Sequence, residues 1–365
     1  MWEQNPIDLV TYIRIHKMQT ALDFPFQKFA VDYAAASSNA SILKNLFDYD
    51  DYYTSSFSSA SNLVTFLGNH DMGRSAFLIE RVKVNPADQL LPRVKLANTL
   101  LYLSRGTPVV YYGDEVGMLG SESGNDQRAR QDMFPTQVEM WKTEKRLGSK
   151  PIGNADSFAG TFANPVAQHL VALAKLRQQH PALANAQMQV RYAKGSVFAF
   201  SKRDLNSKRE YLVVLNNGAK AQKVTIPTAT QGGWKLLSGK ANFTTKSTSV
   251  TVSIGGLETA VLRADKEISA QKVMVGTIAV KEDFLTGFYR LTAGVQTLDL
   301  ATAEFFIRNA GSKEWISLGV DLNSPYRVYV DPREHSGKVE VKAIVTSSSG
   351  RNYELPTAAL NFATS

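Results

Sequence analysis

The run Phe66 to Arg74, FLGNHDMGR, places Asn69, His70 and Asp71 directly behind an apolar stretch that starts at Leu63. An imidazole beside a carboxylate at the rigid end of a strand can hold neighbouring hydroxyls of a sugar ring. The carboxylate accepts their hydrogen bonds, the imidazole donates one, and charge assistance about doubles the strength of each. Bonds that tighten as the ring flattens toward an oxocarbenium ion stabilise the transition state. Taken alone, the same dipeptide is weak evidence and reads more readily as a hydrogen-bonded structural pair. Arg74 also has two readings: it reaches a substrate, or it caps a helix or closes a salt bridge. Further along, the apolar run Thr107 to Tyr112 ends in Gly113, Asp114 and Glu115.

Groups placed this way need strands to carry them. Residues 63–70, LVTFLGNH, and 107–112, TPVVYY, read as buried strands, and 21–26, ALDFPF, as a third. Helical patterns lie between and after them. FQKFAVDYAAA has its phenylalanine, valine and tyrosine at helical spacing, and Leu90, Val94, Ala97 and Leu101 repeat every 3.6 residues until Arg105-Gly106. Asn164-Pro165 supplies a cap and first turn for a helix through Val166, Leu170, Leu173 and Leu176 that ends before Pro181. Alternating strands and helices predict a parallel α/β sheet. Apolar strands with polar residues massed at their C-terminal ends are the pattern of a (β/α) barrel. A barrel takes eight strands and about 250 residues, whereas three strands are legible here, so residues 1–185 are expected to form a partial barrel.

The pattern changes near residue 187. Val197 to Phe200, Tyr211 to Leu215, Val224 to Ile226 and Trp234 to Leu237 are short β signals separated by turns such as Asn216-Asn217-Gly218 and Gly232-Gly233, predicting an antiparallel β-sandwich over 187–265. After the charged linker Asp265-Lys266-Glu267, Val339, Val341, Ala343 and Val345 alternate as a half-buried strand requires. With Arg327 to Val330 as a strand and Ser347 to Gly350 as a turn, residues 268–365 are expected to be an immunoglobulin-like sandwich. Both sandwiches hold their own alternating strands and turns, so residues 187–365 are expected to be soluble while residues 1–185, lacking partner strands, are expected to be aggregation-prone or only loosely folded.

The bulk composition excludes more than it assigns. A chain of 365 residues, 44% hydrophobic, has apolar mass for about two or three domains. No run approaches the roughly 18 apolar residues of a membrane span, and Met1 to Pro6 lacks the basic cluster of a signal peptide. The net charge of +8, from 41 basic and 33 acidic residues, is scattered, so neither nucleic acid nor membrane is expected as a partner. Without cysteine there are no disulfides or thiolate metal sites.

FLGNHDMGR followed by GTPVVYYGDEVGM, residues 106–118, resembles two signatures of glycoside hydrolase family 13, the α-amylase family: "FxxNHD" on strand seven and "GTPxxYYGxE" on strand eight. LDFPFQ at 22–27 is similar to that family's sixth strand, and the helix ending LAKLRQQHPAL to the one closing its barrel. The resemblance covers about residues 1–265. It implies strands 6–8 of a (β/α)8 barrel followed by the family's C-terminal sandwich, acting on α-glucans such as starch and maltooligosaccharides. Asp71 would be the transition-state-stabilising carboxylate, with His70 beside it on the sugar hydroxyls and Asn69 shaping the loop. The loop DQRARQDM, 126–133, is similar to family loops lining outer sugar subsites, which makes Arg130 and Asp132 candidates. Tyr112 and Glu115 are either substrate contacts or packing and a structural hydrogen bond. His16, His169, His180 and His335 are expected at the surface. No cofactor is implied; calcium is an option for a complete enzyme, but no ligand spacing for it occurs here.

The family pattern breaks in one place. A retaining glycosidase needs a nucleophilic carboxylate and an acid/base carboxylate about 5 Å apart. The family carries them on strands four and five, and those motifs are absent; Glu3, preceded by only Met1 and Trp2, has no strand to hold it. The chain is therefore expected to be a truncated glycosidase lacking nucleophile and general acid. The alternative is a non-catalytic carbohydrate-binding or interaction module derived from such an enzyme.

Overall fold

The computed structural model describes residues 5–82, 86–120, 126–132, 136–151 and 162–362. The first region is helical around a minimal parallel sheet. Its helices are α1 (Pro6–Val10, continued by one π-helical turn, Thr11–Ile15), α2 (Phe24–Ala34), α3 (Ser41–Phe47), α4 (Ser75–Glu80), α5 (Leu90–Leu103), α6 (Glu139–Lys142), α7 (Pro165–Gln179) and α8 (Ala182–Asn185). Strands β1 (Val64–Phe66) and β2 (Thr107–Val109) pair in parallel, Val64 opposite Thr107 and Phe66 opposite Val109.

All three expected strands are shorter than their sequence pattern. Residues 21–26 contribute one parallel bridge, Leu22 to Val64, and the chain is helical from Phe24. The reason is local: the Asp23 carboxylate accepts from the Phe26 amide at 2.9 Å, and Pro25 fits the first turn. β1 stops before Gly68, whose absent Cβ would lie 2.5 Å from the Gly73 carbonyl oxygen. β2 pairs with β1 alone among the described residues, so Thr107 and Val109 are exposed where a buried strand was expected. α5 and α7 match their patterns; Asn164 caps α7 by accepting from the Val166 amide, while its Nδ2 donates to the carbonyls of Val116 and Leu147. Among the described residues no helix is long and apolar enough to cross a membrane.

The middle region is a two-sheet sandwich. One sheet runs in the order β3 (Gln187–Lys194), β4 (Val197–Arg203), β5 (Glu210–Asn216), β10 (Thr259–Ala264), β7 (Trp234–Gly239). The other runs β6 (Gln222–Pro227), β9 (Ser249–Ile254), β8 (Ala241–Lys246). β4 and β5 are buried along their whole length because each face packs on something different. Val197, Ala199, Leu212 and Val214 face the second sheet, whereas Phe198, Phe200, Val213 and Leu215 join the core of α2, α3, α5 and α7. Phe198 lies within 6.3 Å of Tyr33 and 5.9 Å of Phe47, centroid to centroid. The helices of residues 1–185 thus share one core with this sandwich, where a loosely folded segment beside a separate 187–365 was expected.

The last region is a second sandwich, of β11 (Met274–Glu282), β12 (Tyr289–Gln296) and β15 (Arg327–Val330) over β14 (Ile316–Asp321), β13 (Thr302–Asn309) and β16 (Gly337–Thr346), with β17 (Asn352–Glu354) and β18 (Ala358–Phe362) both paired to β16. Val339, Val341, Ala343 and Val345 all point into its core, as their alternation predicts. This region is also docked on the first. Tyr329 stacks on Tyr52 with centroids 3.9 Å apart, and Arg327 pairs with Asp51. Buried Arg14 donates to the carbonyls of Tyr52, Thr54 and Tyr329, and burial lowers its pKa to about 10. A Cβ on Gly319 would meet the Ser55 backbone at 2.7 Å, so only glycine allows this approach. Three histidines expected at the surface are half-buried. His169 lies between α5 and α7, 2.9 Å from the Lys95 carbonyl, and burial lowers its pKa to about 4; His180 and His335 shift in the same direction for the same reason.

Because Phe198 sits in a core built by helices and sheet together, Phe198→Ala should cost about 3–5 kcal/mol. Amide hydrogen exchange should then show α5 and β4 losing protection together. Unchanged protection in α5 would mean that the sandwich opens as a separate unit.

Candidate active site

The strand that carries the His-Asp pair ends in a closed loop. Asn69 and Gly73 exchange backbone hydrogen bonds at 3.1 Å, and the Asn69 Oδ1 accepts from the amides of Asp71 at 2.9 Å and Met72 at 2.8 Å. The Asn69 Oδ1 therefore shapes the loop from within. The geometry turns His70 and Asp71 outward, their side chains 60% and 41% exposed, with His70 Nε2 3.3 Å from Asp71 Oδ1. Two polar side chains left open to solvent at a strand end are free to exchange water for a ligand's hydroxyls.

Arg74, expected among the substrate-binding residues, is fully buried and faces the opposite way. Its Nε donates to Gln131 Oε1 at 2.9 Å, its Nη1 donates to the Tyr112 carbonyl, and the same nitrogen lies 3.3 Å from Asp114 Oδ1. Nη2 has no hydrogen-bond partner among the described residues. The guanidinium is instead placed 5.1 Å from the ring centroids of both Tyr111 and Tyr112. Asp114 also accepts from the Ser75 amide at 3.0 Å, and burial raises its pKa against the pull of Arg74. Of the two readings open for Arg74, the salt bridge is the one observed. The physical reason is that its partners gather from both strand ends, leaving no route to the surface.

The loop after β2 is tied into the same network. The Tyr111 hydroxyl donates to the Ala129 carbonyl at 2.9 Å and the Tyr112 hydroxyl to the Gln131 carbonyl at 2.8 Å. Gln131 Nε2 donates to both carboxylate oxygens of Glu144, which also accepts from the Gly120 amide. This scaffold carries Arg130 onto the His-Asp loop, where its Nη2 is 3.0 Å from Asp71 Oδ1 and its Nε donates to the His70 carbonyl at 3.1 Å. An exposed pair of this kind contributes only about 0–1 kcal/mol, so its value is orientation. Asp132 is turned to its own loop, accepting from the Thr136 hydroxyl and the Gln137 amide. Tyr112 and Glu115 line an apolar groove beside α7. Glu3 and Met133 lie outside the described residues. Gln131 and Glu144 escape sequence reading: Gln131 lies between the two flagged loop residues, and Glu144 has no local signal at all.

A carboxylate and an imidazole are thus exposed at the C-terminal end of a parallel strand, in a helical layer followed by a β-sandwich. The family model for the alpha amylase catalytic domain matches residues 1–213, and the chain belongs to the alpha-amylase family of glycoside hydrolases. An alpha-amylase of Streptomyces lividans is 34% identical over 351 residues, 93% of this chain and 38% of that protein. A cyclomaltodextrinase of Thermoanaerobacter pseudethanolicus is 27% identical over 60% of this chain and 32% of its own length. The chain thus spans about a third of these curated relatives. Solved alpha-amylases from Anoxybacillus and H. orenii share the fold, each with a TM-score of 0.53, at 22% and 18% identity, over 73% of this chain and 52% of theirs.

Arg74→Ala would leave Asp114 buried without its cation, and a cost of about 3–5 kcal/mol follows from orphaning one member of a buried pair. Urea denaturation measures the loss, and hydrogen exchange at residues 69–73 should rise with it. Arg74→Lys keeps the charge but not the fork and should fall between. Wild-type stability in Arg74→Ala would remove Arg74 as the anchor of the site.

Proposed function

We propose that this chain supplies the sugar-gripping, transition-state-stabilising part of a retaining α-glucan glycosidase, with nucleophile and general acid contributed by a preceding barrel segment. The observation that carries the reading is the exposed His70–Asp71 pair, held from behind by the Arg74 network and from the side by Arg130. Asp71 accepts hydrogen bonds from ring hydroxyls and His70 donates one. Both bonds strengthen as the glucosyl ring flattens and positive charge develops at its anomeric carbon. Arg130 shares Asp71 and acts as a positioning residue, and a sugar hydroxyl arriving at Asp71 competes with it. Asp114 and Asp132 cannot stand in for the missing pair, since one is buried against Arg74 and the other caps its own loop. Relatives named alpha-amylase, cyclomaltodextrinase and cyclomaltodextrin glucanotransferase support an α-glucan as substrate.

The chain alone should release no reducing sugar from starch, maltooligosaccharide or pullulan, because oriented Asp71 and His70 do not break the glycosidic bond by themselves. Hydrolysis by the purified chain that disappears in Asp71→Asn would overturn this. Joined to a preceding barrel segment that makes it active, the enzyme should lose about 10²- to 10³-fold in turnover in Asp71→Asn, as one transition-state group worth roughly 3–4 kcal/mol implies. His70→Ala should fall in the same direction with folding intact by circular dichroism. Near-normal turnover in both variants would make the pair structural.

A further inference from the structure

The last sandwich meets the first region across an excess of acid. Arg327 on β15 pairs through Nε with the Asp51 carboxylate, each side chain 19% exposed, and its Nη2 donates to the Asp48 carbonyl at 3.1 Å. The Arg327 amide donates to Asp321 Oδ2 at 2.6 Å, and Asp321 Oδ1 accepts from the Asn323 amide at 3.0 Å. Asp321, at the end of β14, is only 4% exposed. Two carboxylates thus adjoin one guanidinium, and among the described residues no other cation pairs with either. The charges around them do not restore the balance. Asp48 pairs with Lys44, Asp50 faces away to Arg105, Asp283 accepts from the Tyr52 hydroxyl, and Arg203 of β4 reaches Asn323. Tyr52, Tyr326 and Tyr329 stay neutral, because burial raises the pKa of each.

We propose that the last sandwich is held on the first region by a proton taken up by the Asp51 and Asp321 pair, so that this contact loosens as the pH rises from acid to neutral. With one cation between two buried carboxylates, the contact is electrically balanced only when one of them is protonated. Burial raises the Asp51 carboxyl to about 6 against the pull of Arg327. Burial, with the charge of Asp51 added to it, holds the Asp321 carboxyl well above the ordinary range. With the sandwich lifted, both groups are solvated and titrate at about 4. The docked form therefore keeps a proton that the lifted form has lost. Docking gains from that proton below about pH 6 and loses the gain above it. Lys202, which burial lowers to about 7, titrates in the same window with the opposite sign and cannot produce the same loosening.

The test is amide hydrogen exchange on the full chain between about pH 5.5 and about pH 8, read as protection factors so that the intrinsic pH dependence of exchange is removed. The reporters are the amides of Tyr52, Thr54 and Ser55, which are bonded within the segment that Tyr329 and Gly319 cover. Their protection should fall about fourfold or more over that range, the change produced by one carboxyl moved from about 4 to about 6. Asp321→Asn keeps an acceptor for the two amides and leaves Asp51 alone with Arg327. It should raise the protection at the alkaline end and shrink the dependence by at least about half. Asp51→Asn should do the same, and it supplies the comparison if circular dichroism shows that Asp321→Asn does not fold. Asp50, which burial also raises to about 6, would give the same sign but survives in both variants. Protection that is constant or rises with pH in the wild-type chain would overturn the proposal, as would the full wild-type dependence persisting in either folded variant.

Discussion

Strands β4 and β5 have no solvent face, and the arrangement of the first two regions follows from that. One set of side chains closes a conventional sandwich against β6, β8 and β9; the other set, led by Phe198 and Phe200, must be covered by something else. Helices α2, α3, α5 and α7 provide the cover. The seam is polar only where the backbone demands it. The Tyr33 hydroxyl donates to the carbonyls of Ser196 and Leu215, Asn217 Nδ2 donates to the Tyr33 carbonyl, and Arg93 joins the carbonyls of Ala34 and Asn217. Helices bound on one side to a rigid sheet hold β1 and β2 in place, although two short strands would not be a stable sheet alone.

From that platform the site is positioned by one buried cation. Arg74 gathers the Tyr112 carbonyl, Asp114 and Gln131, so the ends of β1 and β2 and the loop carrying Arg130 meet at one guanidinium. Desolvating such a group is expensive unless nearly all its donors are met, and the two tyrosine rings take up the side that hydrogen bonds leave open. His70 and Asp71 stay on the surface because the atoms that could have buried them are engaged behind them. The last sandwich works on the opposite flank, where Arg14, Tyr52 and Tyr329 tie it to α1 and the segment before β1. It is a support of the first region as well as a module with its own core.

Local chemistry was legible wherever a few neighbouring residues suffice. The cap Asn164, the alternation in β16 and the apolar period of α5 each depend on contacts within a few residues. The motif at Asn69 to Asp71 was legible for the same reason, and with it the family. Strand lengths were not legible: ALDFPF carries a strand composition, but its outcome depends on whether a neighbour pairs with it, and Asp23 with Pro25 decides for a helix. The roles of Arg74, Gln131 and Glu144, the shared core around Phe198 and the docking of Gly319 on Ser55 were likewise invisible. Each arises from groups tens or hundreds of residues apart, whose burial and partners exist only once the chain has folded. The candidate residue types were thus determined by sequence alone, while which of them face solvent and which are spent on holding the others was decided by tertiary packing.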